Sequence, residues 1–242
     1  MKFIDNLKLT YGENFPNKIK FSLRDLFALL IIPLIAISSL VFMKIFDDKY
    51  TMGLADSLFR GLLFIIVCVL YSKLLKKNWV RFNQSKFASW TLVILGAIVI
   101  QIIITLTRSF LPSVPITETI QPEEILEVNL TYLIISLGPV FTSLLEDVVF
   151  RYTLLYKLFI KNTLFRITIV ILNSVLFGLI HYYNFDGHIV STVSFMTAGL
   201  FLNLIFIWTR NIWHVLLIHA VNNFVLSTLA LIVLYIFQTV LK

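Results

Sequence analysis

The sequence predicts an all-α polytopic transmembrane helical bundle of about seven spans, or eight if the last apolar run is two. Three observations predict it. Of 242 residues, 59% are hydrophobic and 14% are charged, with mean hydropathy +0.92, which no soluble domain of this size shows. Apolar runs of about 20 residues, the length that crosses a hydrocarbon layer, recur along the chain. The basic residues behind the net charge of +7 flank those runs instead of forming one patch, so they report membrane topology and not nucleic-acid binding. Eight glycines and six prolines exclude a low-complexity chain. Cys68, the only cysteine, excludes an intramolecular disulfide and a two-cysteine metal site.

Residues 1–25 mix Lys2, Asp5, Lys8, Glu13, Lys18, Lys20, Arg24 and Asp25 before any long apolar stretch, which is not the pattern of a cleavable leader. They read as a cytoplasmic N-terminal segment, with the integral membrane domain at 26–242. The first span is expected from Leu26 to Ile45, with Pro33 kinking it. The second is expected from Leu58 to Leu75 and the third from Phe87 to Leu106. The stretch from Arg108 to Asn129 differs in kind. Pro112, Pro115 and Pro122 precede Glu123, Glu124 and Glu127, so an exposed acidic loop is expected, with a short helix begun by Pro122.

The fourth span runs from Leu130 towards Ile160, and Gly138-Pro139 should bend it just ahead of Glu146. The fifth is expected from Leu164 to Tyr183, the sixth from Ile189 to Thr209 and the seventh from Ile212 to Leu241, breaking near Asn222-Asn223. Alternating the loops puts fifteen of the twenty basic residues on one side, which places the N-terminus in the cytoplasm.

Glu146, Asp147 and Arg151 stand inside the fourth apolar run. Each charged group near mid-membrane costs roughly 2.5–3.5 kcal/mol on insertion scales, so such groups face a protein interior. Asp147 and Arg151, four apart, share a helical face and can pair, whereas Glu146 points about 100° away. Alone, this pattern reads equally as an ion pair that fixes packing. His181, beside Tyr182 and Tyr183, reads alone as interfacial, as do His188 and His214. His219 and Asn223 share a face and read alone as interhelical hydrogen-bonding glue.

As a set, one carboxylate, two imidazoles and a carboxamide from three spans make a kit for hydrolysis. A carboxylate withdrawn from water can take a proton from a water molecule, and a neutral imidazole can hold that water. A second imidazole and an amide can stabilise an oxyanion. No nucleophile elbow and no His-Glu-x-x-His helix is present. Glu146, His181 and His219 are also a donor set that a zinc ion could take. The same groups work without an ion, and no tightly bound metal is expected.

Glu146-Asp-x-x-x-Arg151, Phe177-x-x-x-His181 and His219-x-x-x-Asn223 resemble the three ordered motifs of the CPBP (Abi) family, which groups CAAX prenyl endopeptidases with bacteriocin-processing and immunity proteins. The resemblance covers the C-terminal half, about 128–241. It implies an intramembrane endopeptidase acting on a membrane-associated or lipid-modified peptide in a bacterial cytoplasmic membrane. Glu146 would be the base and His181 its partner on the attacking water. His219 and Asn223 would stabilise the oxyanion, and Arg151 and Phe177 would be supports. Asp147 departs from the family, which has a second Glu there. Two rival readings are a catalytically silent scaffold or immunity protein that binds another membrane protein, and a proton-coupled transporter. For the transporter, no repeated halves are visible.

Overall fold

The computed structural model describes residues 8–112, 128–185 and 187–240. The regular structure among them is helical. Six segments are long and apolar enough to cross a membrane: Leu23–Ile45, Lys49–Leu70, Lys86–Ser109, Leu130–Tyr156, Ile189–Thr209 and Ile212–Val240. The protein is an integral membrane α-helical bundle. The fifth expected run is a helix of only 17 residues, Thr163–Leu179, about 25 Å long against a hydrocarbon core of about 30 Å.

Helix α1 (Leu23–Ile45) opens on a capping box in which Ser22 and Asp25 satisfy each other's backbone. Lys157 reaches back to the same Asp25 carboxylate at 3.1 Å. Helix α2 (Lys49–Leu70) begins nine residues before the expected Leu58. Asp48 caps it by accepting from the Thr51 amide at 2.7 Å, and the cap, not the first apolar residue, sets the start. Arg60, two residues inside the expected start, therefore stands near the middle of the span.

Helix α3 (Ser72–Gln84) replaces an expected basic loop. It is amphipathic, burying Leu75, Asn78 and Phe82 while Lys73, Lys76 and Lys77 face outward. Trp213 donates its indole N–H to the Leu75 carbonyl at 2.7 Å, and Asn211 donates to the Asn78 carbonyl at 3.0 Å. Across α3 and the following α4 (Lys86–Ser109) lies His214. It is fully buried, 3.1 Å from the Ser89 hydroxyl, so it is a core residue and not the interfacial one expected. Most of the expected acidic loop, including the helix at Pro122, lies outside the described residues.

The fourth span is three pieces: α5 (Leu130–Ser136), α6 (Gly138–Asp147) and a π-helical segment, Val148–Tyr156. The bend falls at Gly138-Pro139, where the sequence places it. Pro139 has no N–H, so the carbonyl four residues earlier, that of Ile135, loses its helical partner. Ser57 of α2 donates to it at 2.9 Å. Thr228 donates to the Ser136 carbonyl at 3.0 Å. A side chain at Gly138 would come within 2.8 Å of the Ser57 hydroxyl, so glycine lets α2 reach the bend.

Helix α7 (Thr163–Leu179) pairs closely with α8 (Val193–Thr209). Asn203 donates to Ser174 at 2.9 Å, and Gly199 leaves room for the Phe177 ring. Helix α9 (Ile212–Phe224) packs on α6 and on α4, where Gly96 admits Ile218. A π turn, Val225–Leu229, just past the expected break at Asn222-Asn223, leads into α10 (Ala230–Val240). Residues 8–20 run across the bundle end. Gly12 donates to the Thr209 carbonyl at 2.8 Å, Tyr156 donates to the Asn14 carbonyl at 3.1 Å, and Glu13 pairs with Lys77 and Arg81.

Candidate active site

Helix α6 ends in the acidic pair. Glu146 is 6% exposed and Asp147 fully buried. The π-helical turn follows at once. A π segment widens the turn and redirects side chains, and such segments gather at functional sites. Asn173 of α7 supports it by donating to the Phe150 carbonyl at 2.8 Å.

Asp147 and Arg151 form an ion pair of 3.2 Å with both side chains fully buried. The guanidinium is further held over the Phe177 ring, 4.1 Å from its centroid, and reaches the Gly199 carbonyl at 3.4 Å. Phe177 thus packs between the buried cation and the two site histidines, its ring centroid 5.4 Å from that of His181 and 5.8 Å from that of His219.

His181 lies in the turn just past α7. Its Nδ1 is 2.9 Å from the Phe177 carbonyl. That carbonyl can only accept, so Nδ1 donates and Nε2 is left as the acceptor in the neutral ring. Nε2 faces Glu146 Oε1 at 3.9 Å. His219, from the middle of α9, presents Nε2 to Glu146 Oε2 at 3.7 Å and Nδ1 to Asp147 Oδ2 at 3.4 Å. Glu146 and Asp147 point apart, as their spacing requires, yet both meet His219.

The structure therefore brings Glu146, His181 and His219 together, with Asp147, Arg151 and Phe177 behind them. Asn223 stands one turn beyond His219 and donates to the Pro139 carbonyl at 3.0 Å. It braces the bend, and among the described residues its amide makes no hydrogen bond to either imidazole.

Separations of 3.7–3.9 Å are too long for direct hydrogen bonds. They suit a water that sits off the line between oxygen and nitrogen and bonds to both. A tetrahedral zinc needs donors aimed at one point, with bonds of about 2.0–2.2 Å. Among the described residues no three His, Cys, Asp or Glu side chains are so arranged. Glu146 turns a different oxygen to each imidazole, and the second nitrogen of His219 is turned to Asp147. As placed, these side chains do not fit a three-ligand metal site.

Two features were not legible in the sequence. Phe195 of α8 stacks on the His181 ring, with centroids 4.4 Å apart and planes at 21°. One aromatic in an apolar run gives no signal of such a role. An apolar groove of about 590 Å³, open at the bundle surface, lies between α4 and α9, lined by Ile94, Ile98, Ile102, Val221, Asn222 and Leu226 among others. Asn222 places its rim less than one helical turn from His219.

Residues 128–225 match the family described as type II CAAX prenyl endopeptidase Rce1-like. No curated protein and no solved structure matches the chain.

Proposed function

With residues 128–225 assigned to the CAAX protease family, we propose that this chain is an intramembrane endopeptidase that hydrolyses a peptide bond through a water activated by Glu146 and His181. The observation that carries the reading is the Glu146 carboxylate itself: each of its oxygens faces a different imidazole, at 3.9 and 3.7 Å, inside an apolar bundle.

Glu146 takes a proton from the water, whose second hydrogen is held by Nε2 of His181. The oxygen attacks the substrate carbonyl carbon. His219 donates from Nε2 to the resulting oxyanion. Donating there and to Asp147 at once requires the doubly protonated ring, whose charge Asp147 and the oxyanion itself would balance, Glu146 being neutral at that stage. Asn223 joins as second donor by exchanging its Pro139 contact for the oxyanion. Glu146 then passes its proton to the leaving amine, and the carbon–nitrogen bond breaks. No step is routed through a metal ion.

The substrate is a membrane-associated or lipid-modified peptide, of the CAAX-protein, peptide-pheromone or bacteriocin-precursor kind. The apolar groove that reaches Asn222, three residues from His219, supports this, because it offers an apolar chain a place near the site. The basic-residue bias supports an N-terminus in the cytoplasm.

Substituting Glu146→Gln or His181→Ala in purified, reconstituted protein tests the reading. General-base loss should cut turnover of a susceptible peptide by about 10²–10⁴-fold. Cleavage at the wild-type rate in either variant removes that residue from the mechanism.

A further inference from the structure

The chain holds a second intramembrane charge pair that the mechanism above does not use. Asp56 and Arg60 lie near the middle of α2, outside the family-matched segment. Arg60 Nε meets Asp56 Oδ2 at 2.6 Å, and its NH1 donates to the Thr142 hydroxyl of α6 at 2.9 Å. Ser39 of α1 donates to the other Asp56 oxygen at 2.7 Å. A mid-span charge is costly enough to be a functional site by default.

This pair differs from Asp147–Arg151 in one respect. The latter is sealed at 0% exposure, whereas the Asp56 and Arg60 side chains each keep 22%. Nε is taken by Asp56 and NH1 touches Thr142, but NH2 has no hydrogen-bond partner among the described residues. An open guanidinium edge is therefore left inside the membrane domain. Thr142 is four residues before Glu146, so the two lie within about 40° of one face and about 6 Å apart along α6.

We propose that Arg60 binds the free C-terminal carboxylate of the substrate and so fixes the cut close to the chain end. This rests on the protease reading above. A CAAX sequence is a C-terminal motif, so its substrate ends in a carboxylate. Carrying that carboxylate into an apolar bundle requires a partner, and the planar guanidinium fork is the side chain that fits it. A segment of two or three extended residues spans about 7–10 Å, enough to reach from the guanidinium at Thr142 to Glu146, about 6 Å further along α6. Asp56 neutralises the guanidinium while the site is empty, and Ser39 and Thr142 hold the pair in place.

The test uses one peptide made as the free acid and as the C-terminal amide, with full-length protein in proteoliposomes. Wild type should cleave the acid at least about 10-fold better in kcat/KM, mostly through KM, as loss of a charged hydrogen bond predicts. Asp56→Asn/Arg60→Gln, which removes both charges and leaves neither stranded, should bring the acid-to-amide ratio to about one. Arg60→Lys should fall between, and it carries the test if the double variant does not fold. A wild-type ratio near one, or a ratio unchanged in both variants, overturns the proposal.

Binding separates this from the protease reading. If wild type cuts neither peptide, the protease reading fails. The same two peptides, fluorescently labelled, are then titrated onto the Glu146→Gln protein. Tighter binding of the acid that is lost with Asp56→Asn/Arg60→Gln sustains Arg60 alone, and equal binding of acid and amide overturns it.

Discussion

Asp147 Oδ2 lies 3.4 Å from Nδ1 of His219 while the other oxygen of the same carboxylate pairs with Arg151 at 3.2 Å. One carboxylate thus links the buried cation of the π-helical turn to the orientation of an imidazole on α9. Asp has the reach for both contacts, although the resembled family has Glu at this position.

Arg151 should be a stability residue first. Arg151→Ala leaves Asp147 charged and fully buried, which costs about 3–5 kcal/mol, and empties the space over Phe177. Thermal unfolding in detergent should show a large loss. Asp147→Asn should lower kcat more than it raises KM, because the substrate contacts persist while the one oxygen that remains must accept from Arg151, which leaves His219 without the acceptor that fixes its ring. An Asp147→Asn protein with wild-type kcat would remove Asp147 from the positioning of His219.

The bend ahead of Glu146 depends on a hydroxyl from another helix. Ser57→Ala removes the side-chain donor from the half-buried Ile135 carbonyl and should destabilise by about 1 kcal/mol. Pro139→Ala returns an N–H to that carbonyl. The double variant should therefore be less destabilised than the sum of the two singles, and a double-mutant cycle reads the coupling directly. Additive costs would mean that Ser57 does not serve the Ile135 carbonyl.

The strap at residues 8–20 should respond to acid. Hydrogen bonding from Lys77 and the nearby Arg81 hold the Glu13 carboxyl below its ordinary value of 4.5. A depressed carboxyl contributes its contact above the ordinary value and loses it as pH falls through the lowered one. Exchange of the Gly12 amide, corrected for its intrinsic rate, should be flat from pH 7 to 5 and rise only below 4.5. Glu13→Gln should abolish that dependence. The stability at stake is small, because the pair is half exposed.

Cleavage should survive chelation. The site carboxylate and imidazoles do not aim at one point, so treatment with a strong zinc chelator should leave turnover within about twofold, below the loss expected for any missing catalytic group. Loss of turnover that added zinc restores would replace the water mechanism with a metal-centred one.

Much of this protein is legible in its sequence because a membrane leaves few choices. Runs of apolar residues must be helices, since backbone groups in hydrocarbon need partners within their own segment. Charges stranded in such runs must face an interior, and so Glu146, Asp147 and Arg151 stand out before any coordinates. The break at Gly138-Pro139 follows equally from the missing N–H.

What the sequence could not fix was everything that depends on a partner from elsewhere in the chain. Hydropathy alone puts Arg60 near the start of a span and His214 at an interface, because it sees neither the Asp48 cap that lengthens α2 nor the Ser89 hydroxyl that receives the His214 ring. The amphipathic helix at 72–84 was hidden by its lysines. Only tertiary packing decided that Glu146 divides its two oxygens between His181 and His219, and that Asn223 rests on Pro139. Helical periodicity fixes which face a residue occupies. It does not fix the depth and rotation at which separate helices meet, and those are set by contacts such as Gly96 with Ile218 and Gly199 with Phe177.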